Sequence, residues 1–282
     1  MSSTRLTRRA LKATVSTAVA AAIAALLVLP IITAHAAPQS DTPKPTIVLV
    51  HGAWADGSSW HDVVQRLADQ GYQVLVPPNP LRGPIAGGDA AYLASYLAKV
   101  PGPIVLVGHS YGGVVITNAA LGNPNVKALV YVDAYIPDAG QPFGALTTGS
   151  CLGVDTSKSF RAVPIAGGDD LYVQNAPNPP YVGFADCFAN GVNPNETAVL
   201  AASQRPLSAS ALADPSGTPA WQSIPSWSLI GTQDHVIPPD QQQVMSNNAH
   251  AHIETFNAGH LGLITRPEFV VKIIDDAVAA TA

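Results

Sequence analysis

Pro103-Ile104-Val105-Leu106-Val107-Gly108-His109-Ser110-Tyr111-Gly112-Gly113-Val114-Val115-Ile116-Thr117-Asn118-Ala119-Ala120-Leu121 decides how the rest of the chain is read. Its first five residues are a short apolar run of the kind that forms a buried strand. Val114–Leu121 is apolar enough for a buried helix, and Gly122 stops it. Between them stands Gly-x-Ser-x-Gly, so a serine sits on a tight strand-to-helix turn, the setting of a nucleophile elbow. Such a turn strains the backbone at Ser110 and crowds the residues two before and two after it. Gly108 and Gly112 have no Cβ to clash there. The turn lifts the Ser110 hydroxyl clear of the sheet edge and leaves the Tyr111 N–H at a helix start, able to stabilise an oxyanion.

Outward from this stretch the chain alternates strand and helix. Thr46–Val50 reads as a strand, Ser59–Gln70 as a helix, Tyr72–Val76 as a strand and Asp89–Lys99 as a helix. Lys127–Asp133 follows the elbow helix as a further strand. Short apolar strands separated by helices predict a mostly parallel sheet of about six strands, with helices on both faces. Right-handed crossovers are expected. The rhythm breaks over 137–219, which is rich in Pro, Gly, Ser, Asn and Asp, and this stretch is expected to be an inserted cap. Its recognisable helices are short, near Glu196–Gln204 and Leu207–Leu212. Trp227–Ile230 and His252–Phe256 resume the strands. Helices over Pro238–Asn247 and from Pro267 to about Ala279 complete a core of 37–136 and 220–282.

The elbow, in its strand–helix context, resembles that of the serine hydrolases of the α/β-hydrolase fold. His51-Gly52-Ala53 with Gly57 and Trp60, together with Gly108–Gly113, is similar to the branch holding plant methyl esterases and hydroxynitrile lyases, and to small bacterial relatives. The resemblance covers about residues 45–135 and 220–280. It implies a base and an acid after the nucleophile, in the order Ser, Asp, His. His260, behind Gly259 and past the last strand, then becomes the base. Asp234, in Gly231-Thr232-Gln233-Asp234-His235, becomes the acid that orients it, with Asp133 as the rival position. A second oxyanion donor is implied at the N–H of Ala53. His51 and His109 read as braces, while Trp54, Tyr111 and Leu261 are expected along the substrate pocket.

The resemblance implies hydrolysis of small to medium carboxylic esters through an acyl-enzyme, with no metal or organic cofactor. Lactone or amide hydrolysis and acyl transfer to peroxide are its alternatives. A hydroxynitrile lyase of this branch carries lysine after the base, where this chain has Leu261. Relatives that open epoxides or remove halogen use aspartate at the elbow, which Ser110 replaces. A binding protein of low turnover is the reading from another class.

Composition bounds the partners. The whole chain carries a formal charge of −5, with Arg5, Arg8, Arg9 and Lys12 ahead of the first acid, Asp41. The remainder has 10 basic against 19 acidic residues, a net of −9. A nucleic-acid partner needs a basic face, and none is expected. Residues 1–36 read as an export signal: a basic start, an apolar run from Val15 to Ile32, then Ala34-His35-Ala36 as the cleavage site. Thr7-Arg8-Arg9 resembles a twin-arginine signal. A secreted or cell-envelope protein without stable membrane association is expected. In that oxidising setting the two cysteines, Cys151 and Cys187, are expected to pair.

Overall fold

The computed structural model describes residues 44–83, 85–153, 156–175 and 183–281. The export segment expected at 1–36 lies outside them. In chain order the elements are β1 (Thr46–Val50), α1 (His61–Asp69), β2 (Gln73–Leu75), α2 (Ala90–Leu97), β3 (Ile104–Ser110), α3 (Tyr111–Ala119) and β4 (Val126–Ala134). Then come α4 (Thr156–Ser159), β5 (Phe160–Ile165), β6 (Gly168–Val173), α5 (Pro194–Ala202), β7 (Leu207–Ser208) and α6 (Ser210–Ala213). The chain closes with β8 (Ser226–Gly231), α7 (Pro239–Asn248), β9 (His252–Phe256), α8 (Gly262–Thr265) and α9 (Pro267–Thr281).

Six strands form one parallel sheet in the order β2-β1-β3-β4-β8-β9. Every residue of β1, β3 and β8 is buried, and all of β4 except Lys127, as a sheet covered on both faces requires. The chain moves from β1 outward to β2, then back across to β3 and β4. Right-handed crossovers therefore put α1 on one face and α2 and α3 on the other. The reversal of direction falls between β1 and β3, and a ligand crevice opens beyond the carboxyl ends of strands at such a point. The residues that leave β1 and β3 there are His51-Gly52-Ala53 and Ser110.

The stretch between β4 and β8 carries its own three-stranded antiparallel sheet, in the order β5-β6-β7. The β5–β6 hairpin is not expected from sequence, because Pro164 breaks the strand pattern. Pro164 is tolerated since β5 is an edge strand and its missing N–H faces no partner. Leu207–Leu212, read above as one helix, is β7 followed by α6. Leu207 and Ser208 instead pair with Leu171 and Asp170 of β6. A disulfide joins Cys151 to Cys187 across 36 residues, with Cα atoms 5.9 Å apart. Among the described residues no helix is long and apolar enough to cross a membrane.

Candidate active site

Ser110 ends β3 and caps α3 with φ 52° and ψ −123°, a conformation that costs on the order of 1–3 kcal/mol and needs its surroundings to hold it. They do so by close approach. A Cβ on Gly108 would stand 2.6 Å from the Gly112 carbonyl oxygen, and one on Gly112 2.5 Å from that of Val50. Tyr111 is the first residue of α3, so its N–H has no acceptor within the helix. Its buried phenol donates to Asp89 Oδ2 at 2.8 Å, which fixes the ring beside Ser110. Burial, then the Asp89 carboxylate, pushes that phenol well above its ordinary range.

The loop after β1 lies directly against the serine. A Cβ on Gly52 would meet Ser110 Cβ at 2.8 Å and His109 Nδ1 at 3.1 Å. His51 braces the loop. Its Nε2 accepts the Asn79 N–H at 3.0 Å, which leaves Nδ1 protonated and donating to the Gly52 carbonyl at 2.9 Å. The Asn79 amide donates back to the His51 carbonyl at 3.0 Å. Burial lowers the His51 pKa and keeps the ring neutral for that role.

His260 and Asp234 come to Ser110 from beyond β9 and β8. His260 Nε2 is 3.0 Å from Ser110 Oγ, and its Nδ1 is 2.9 Å from Asp234 Oδ2. The side chains of His260 and Asp234 are fully buried. Asp234 accepts two backbone N–H groups on Oδ1, from Val236 at 2.8 Å and Ile237 at 2.9 Å. On Oδ2 it accepts the Gln242 amide at 2.8 Å as well as His260. A carboxylate with these donors orients Nδ1–H toward itself and leaves Nε2 with a lone pair facing the serine. His109 supports the base from behind: its Nε2–H donates to the His260 carbonyl at 2.8 Å, and the rings are 4.9 Å apart. Burial holds the His109 pKa far below the imidazole range, so no cation stands there.

Asp133 does not reach His260 by a hydrogen bond. Its Oδ1 accepts the Gly231 N–H at 2.6 Å, and Oδ2 has no hydrogen-bond partner among the described residues. Burial, with the neighbouring Asp234 second, pushes its carboxyl well above the usual range.

A partly open cavity of about 70 Å³ lies at Ser110. Trp54, Tyr111, Tyr135, Phe143, Phe160 and Leu171 form its apolar walls, and among the described residues none that lines it is charged. Trp54 ties the loop after β1 to the insertion: its indole N–H donates to the Leu171 carbonyl at 2.8 Å, and its ring stacks on Phe160 at 5.3 Å. Leu261 does not line this cavity. It packs into the hydrophobic core at the start of α8. A wider groove of about 550 Å³ is lined by Asn175 and by residues between Gly183 and Ala201, but neither Ser110 nor His260 lines it. Gln242, Phe160, Phe188 and Asn190 are site neighbours that no sequence pattern singles out. They come from α7 and the insertion, and only the tertiary fold brings them here. Cys187, one residue before Phe188, is the nearest signal.

Residues 47–273 match the profile of the Alpha/beta hydrolase family. A carbendazim-hydrolyzing esterase of a Nocardioides species is 38% identical over 110 residues, 35% of this chain and 46% of that one. The chain thus spans less than half of that relative. An alpha/beta hydrolase of Aspergillus novofumigatus is 25% identical over 253 residues, 83% of this chain and 96% of the relative. The crystal structure of a pyrethroid hydrolase from Sphingobium faniae superposes with a TM-score of 0.65 at 23% identity, covering 84% of this chain and 98% of that one. At that identity the likeness speaks for the fold alone. With a family profile matched over most of its length and the fold to go with it, this chain belongs to the Alpha/beta hydrolase family.

Proposed function

We propose that the protein is a serine esterase acting on small to medium, uncharged carboxylic esters. The observation that carries this is the continuous chain Asp234–His260–Ser110, with contacts of 2.9 and 3.0 Å. Serine is a poor nucleophile at its free pKa and needs such an adjacent base. In this reading Ser110 Oγ attacks the acyl carbon while His260 Nε2 takes its proton. The N–H groups of Ala53 and Tyr111 hold the developing oxyanion. His260 then protonates the leaving alcohol, and water activated by the same ring releases the acyl group. The name of the Nocardioides relative, an esterase, supports the bond type. The aromatic residues described along the cavity support a small apolar acyl or aryl group.

The test is a series of p-nitrophenyl esters of increasing chain length. We expect kcat/KM to be highest on short acyl or aryl esters and to fall at long chains, without a jump above the solubility limit. Ser110→Ala should lower kcat by several orders of magnitude, and adding His260→Ala should cost little more. Activity should fall in acid, because only a neutral imidazole can accept the serine proton. Interfacial activation with little turnover of short esters would make the protein a lipase instead. Export is part of the proposal, supported by a disulfide that needs an oxidising compartment. N-terminal sequencing from the native host should then start near Ala37.

A further inference from the structure

The insertion reaches past the pocket and grips both loops that bring the acid and the base. β8 and β9 pair in parallel, and their ladder continues beyond the strands through Thr232 N–H to the Phe256 carbonyl and Gln233 N–H to the Ala258 carbonyl, each at 2.9 Å. In a parallel ladder the next rung would run from the His260 N–H to the Gln233 carbonyl. Asn190 of the insertion takes that place. Its Nδ2 donates to the Gln233 carbonyl at 2.7 Å, and its Oδ1 accepts the His260 N–H at 3.4 Å. A side-chain amide has the donor and acceptor of a peptide group, so it can stand in for one. The fit is close: a Cβ on Gly259 would fall 2.5 Å from Asn190 Nδ2.

The segment around Asn190 is held from several sides. Cys187 is bonded to Cys151, whose N–H donates to the His235 carbonyl at 3.0 Å. The His235 ring contacts the Asp186 carbonyl through Nδ1 at 3.2 Å. Phe188 packs its ring 5.3 Å from that of His260. Residues 186–190 therefore touch the neighbours of Asp234 on both sides as well as His260 itself.

We propose that Asn190 is a positioning residue, whose amide supplies the missing rung between the acid loop and the base loop and so makes the Asp234–His260 contact depend on how the insertion is seated. The proposal rests on the reading of Ser110, His260 and Asp234 as the catalytic groups. Its physical effect has a sign. A nearby carboxylate favours the protonated imidazole, so a looser Asp234 makes His260 less basic. The other titratable groups around the ring, His109 and Asp133, are held by contacts to the His260 carbonyl and the Gly231 N–H that do not involve Asn190.

The experiment compares wild type, Asn190→Ala and Gln204→Ala on p-nitrophenyl acetate. Gln204 staples the insertion internally, through Val173 and Ala201, without touching either catalytic loop. For Asn190→Ala we expect kcat to fall about tenfold or more with KM within about twofold, as a small misplacement of catalytic groups implies. The acid limb of the pH–rate profile should move to lower pH. Gln204→Ala should lower Tm while keeping kcat and the pH profile. Equal kcat losses in both variants, or a wild-type kcat and profile in Asn190→Ala, overturn the proposal. If Asn190→Ala does not fold, Asn190→Asp keeps the size and the acceptor but loses the donor, and should also lose kcat. The outcome is separable from the esterase reading. Should the wild type neither turn over p-nitrophenyl acetate nor react with a fluorophosphonate, that reading fails. The rung is then judged by the downfield Nδ1 proton resonance of His260, which should move upfield in Asn190→Ala and stay in Gln204→Ala; an unchanged resonance rejects it.

Discussion

Two buried carboxyls, Asp133 and Asp234, stand near the ends of neighbouring strands and meet opposite conditions. Asp234 accepts two backbone N–H groups, an amide and an imidazole, which suits a charged acid. Asp133 accepts one N–H and is pushed by burial, then by Asp234, toward its neutral form. A carboxyl whose folded pKa lies above its unfolded value of 3.8 binds its proton more tightly in the native state. Its contribution to stability is then complete below about pH 4 and is lost as pH rises toward the folded pKa. Asp133→Asn should accordingly gain in Tm relative to wild type as pH goes from 4 to 7, read by thermal melts in parallel buffers. A difference that shrinks with pH would mean Asp133 is ionised in the fold. The same pair settles the acid: Asp234→Asn should lower kcat by about 10⁴, as loss of the correct tautomer does elsewhere, and Asp133→Asn by a few-fold at most. Sequence order and position single out Ser110, Asp234 and His260 because chemistry restricts where they can stand. Gln242 and Asn190 carry no such restriction: each is one polar residue among several in its element, and its neighbour comes from a distant part of the chain.

At the level of elements, the inner strands β1, β3 and β4 are legible because both faces are buried and they carry apolar runs, Ile47–Val50, Ile104–Val107 and Ala128–Val132. The elbow is legible because its glycines answer to sterics alone. Gly112→Ala would place a methyl group 2.5 Å from the Val50 carbonyl oxygen, between β1 and α3. Backbone cannot yield there as a flexible side chain would, so we expect a loss of about 3 kcal/mol or more and little soluble protein. A Gly112→Ala variant with wild-type Tm would contradict this account of the turn. The β5–β6 hairpin is illegible for the converse reason. β5 is an exposed edge carrying Pro164, its turn is Ala166-Gly167, and the pairing with β7 joins segments far apart in sequence. Helix boundaries differ less: α3 starts at Tyr111, three residues before the apolar run that announces it, because Ser110 itself serves as the cap.

For the whole molecule, the insertion is closed on itself by the Cys151–Cys187 bond as well as held by packing. Closing a loop of 36 residues restricts the unfolded chain by about 3–4 kcal/mol on the loop-entropy account. Reduction should therefore lower Tm by roughly 10 °C in a body of this size, and relax the preference for short esters as the cavity walls loosen. Calorimetry with and without reductant decides it, and an unchanged melt would show that packing alone seats the insertion. The contact between Trp54 and the Leu171 carbonyl has a consequence in light. Of the four tryptophans, Trp54 is the one whose indole lines the cavity, whereas Trp60 is sealed in the core at 0% exposure. If the insertion lifts, the Trp54 indole gains water at its N–H and its fluorescence moves to the red, while Trp60 keeps its emission. The difference spectrum between wild type and Trp54→Phe thus reads the seating of the insertion directly, without turnover, and a stable ester analogue that fills the cavity should change it at saturation.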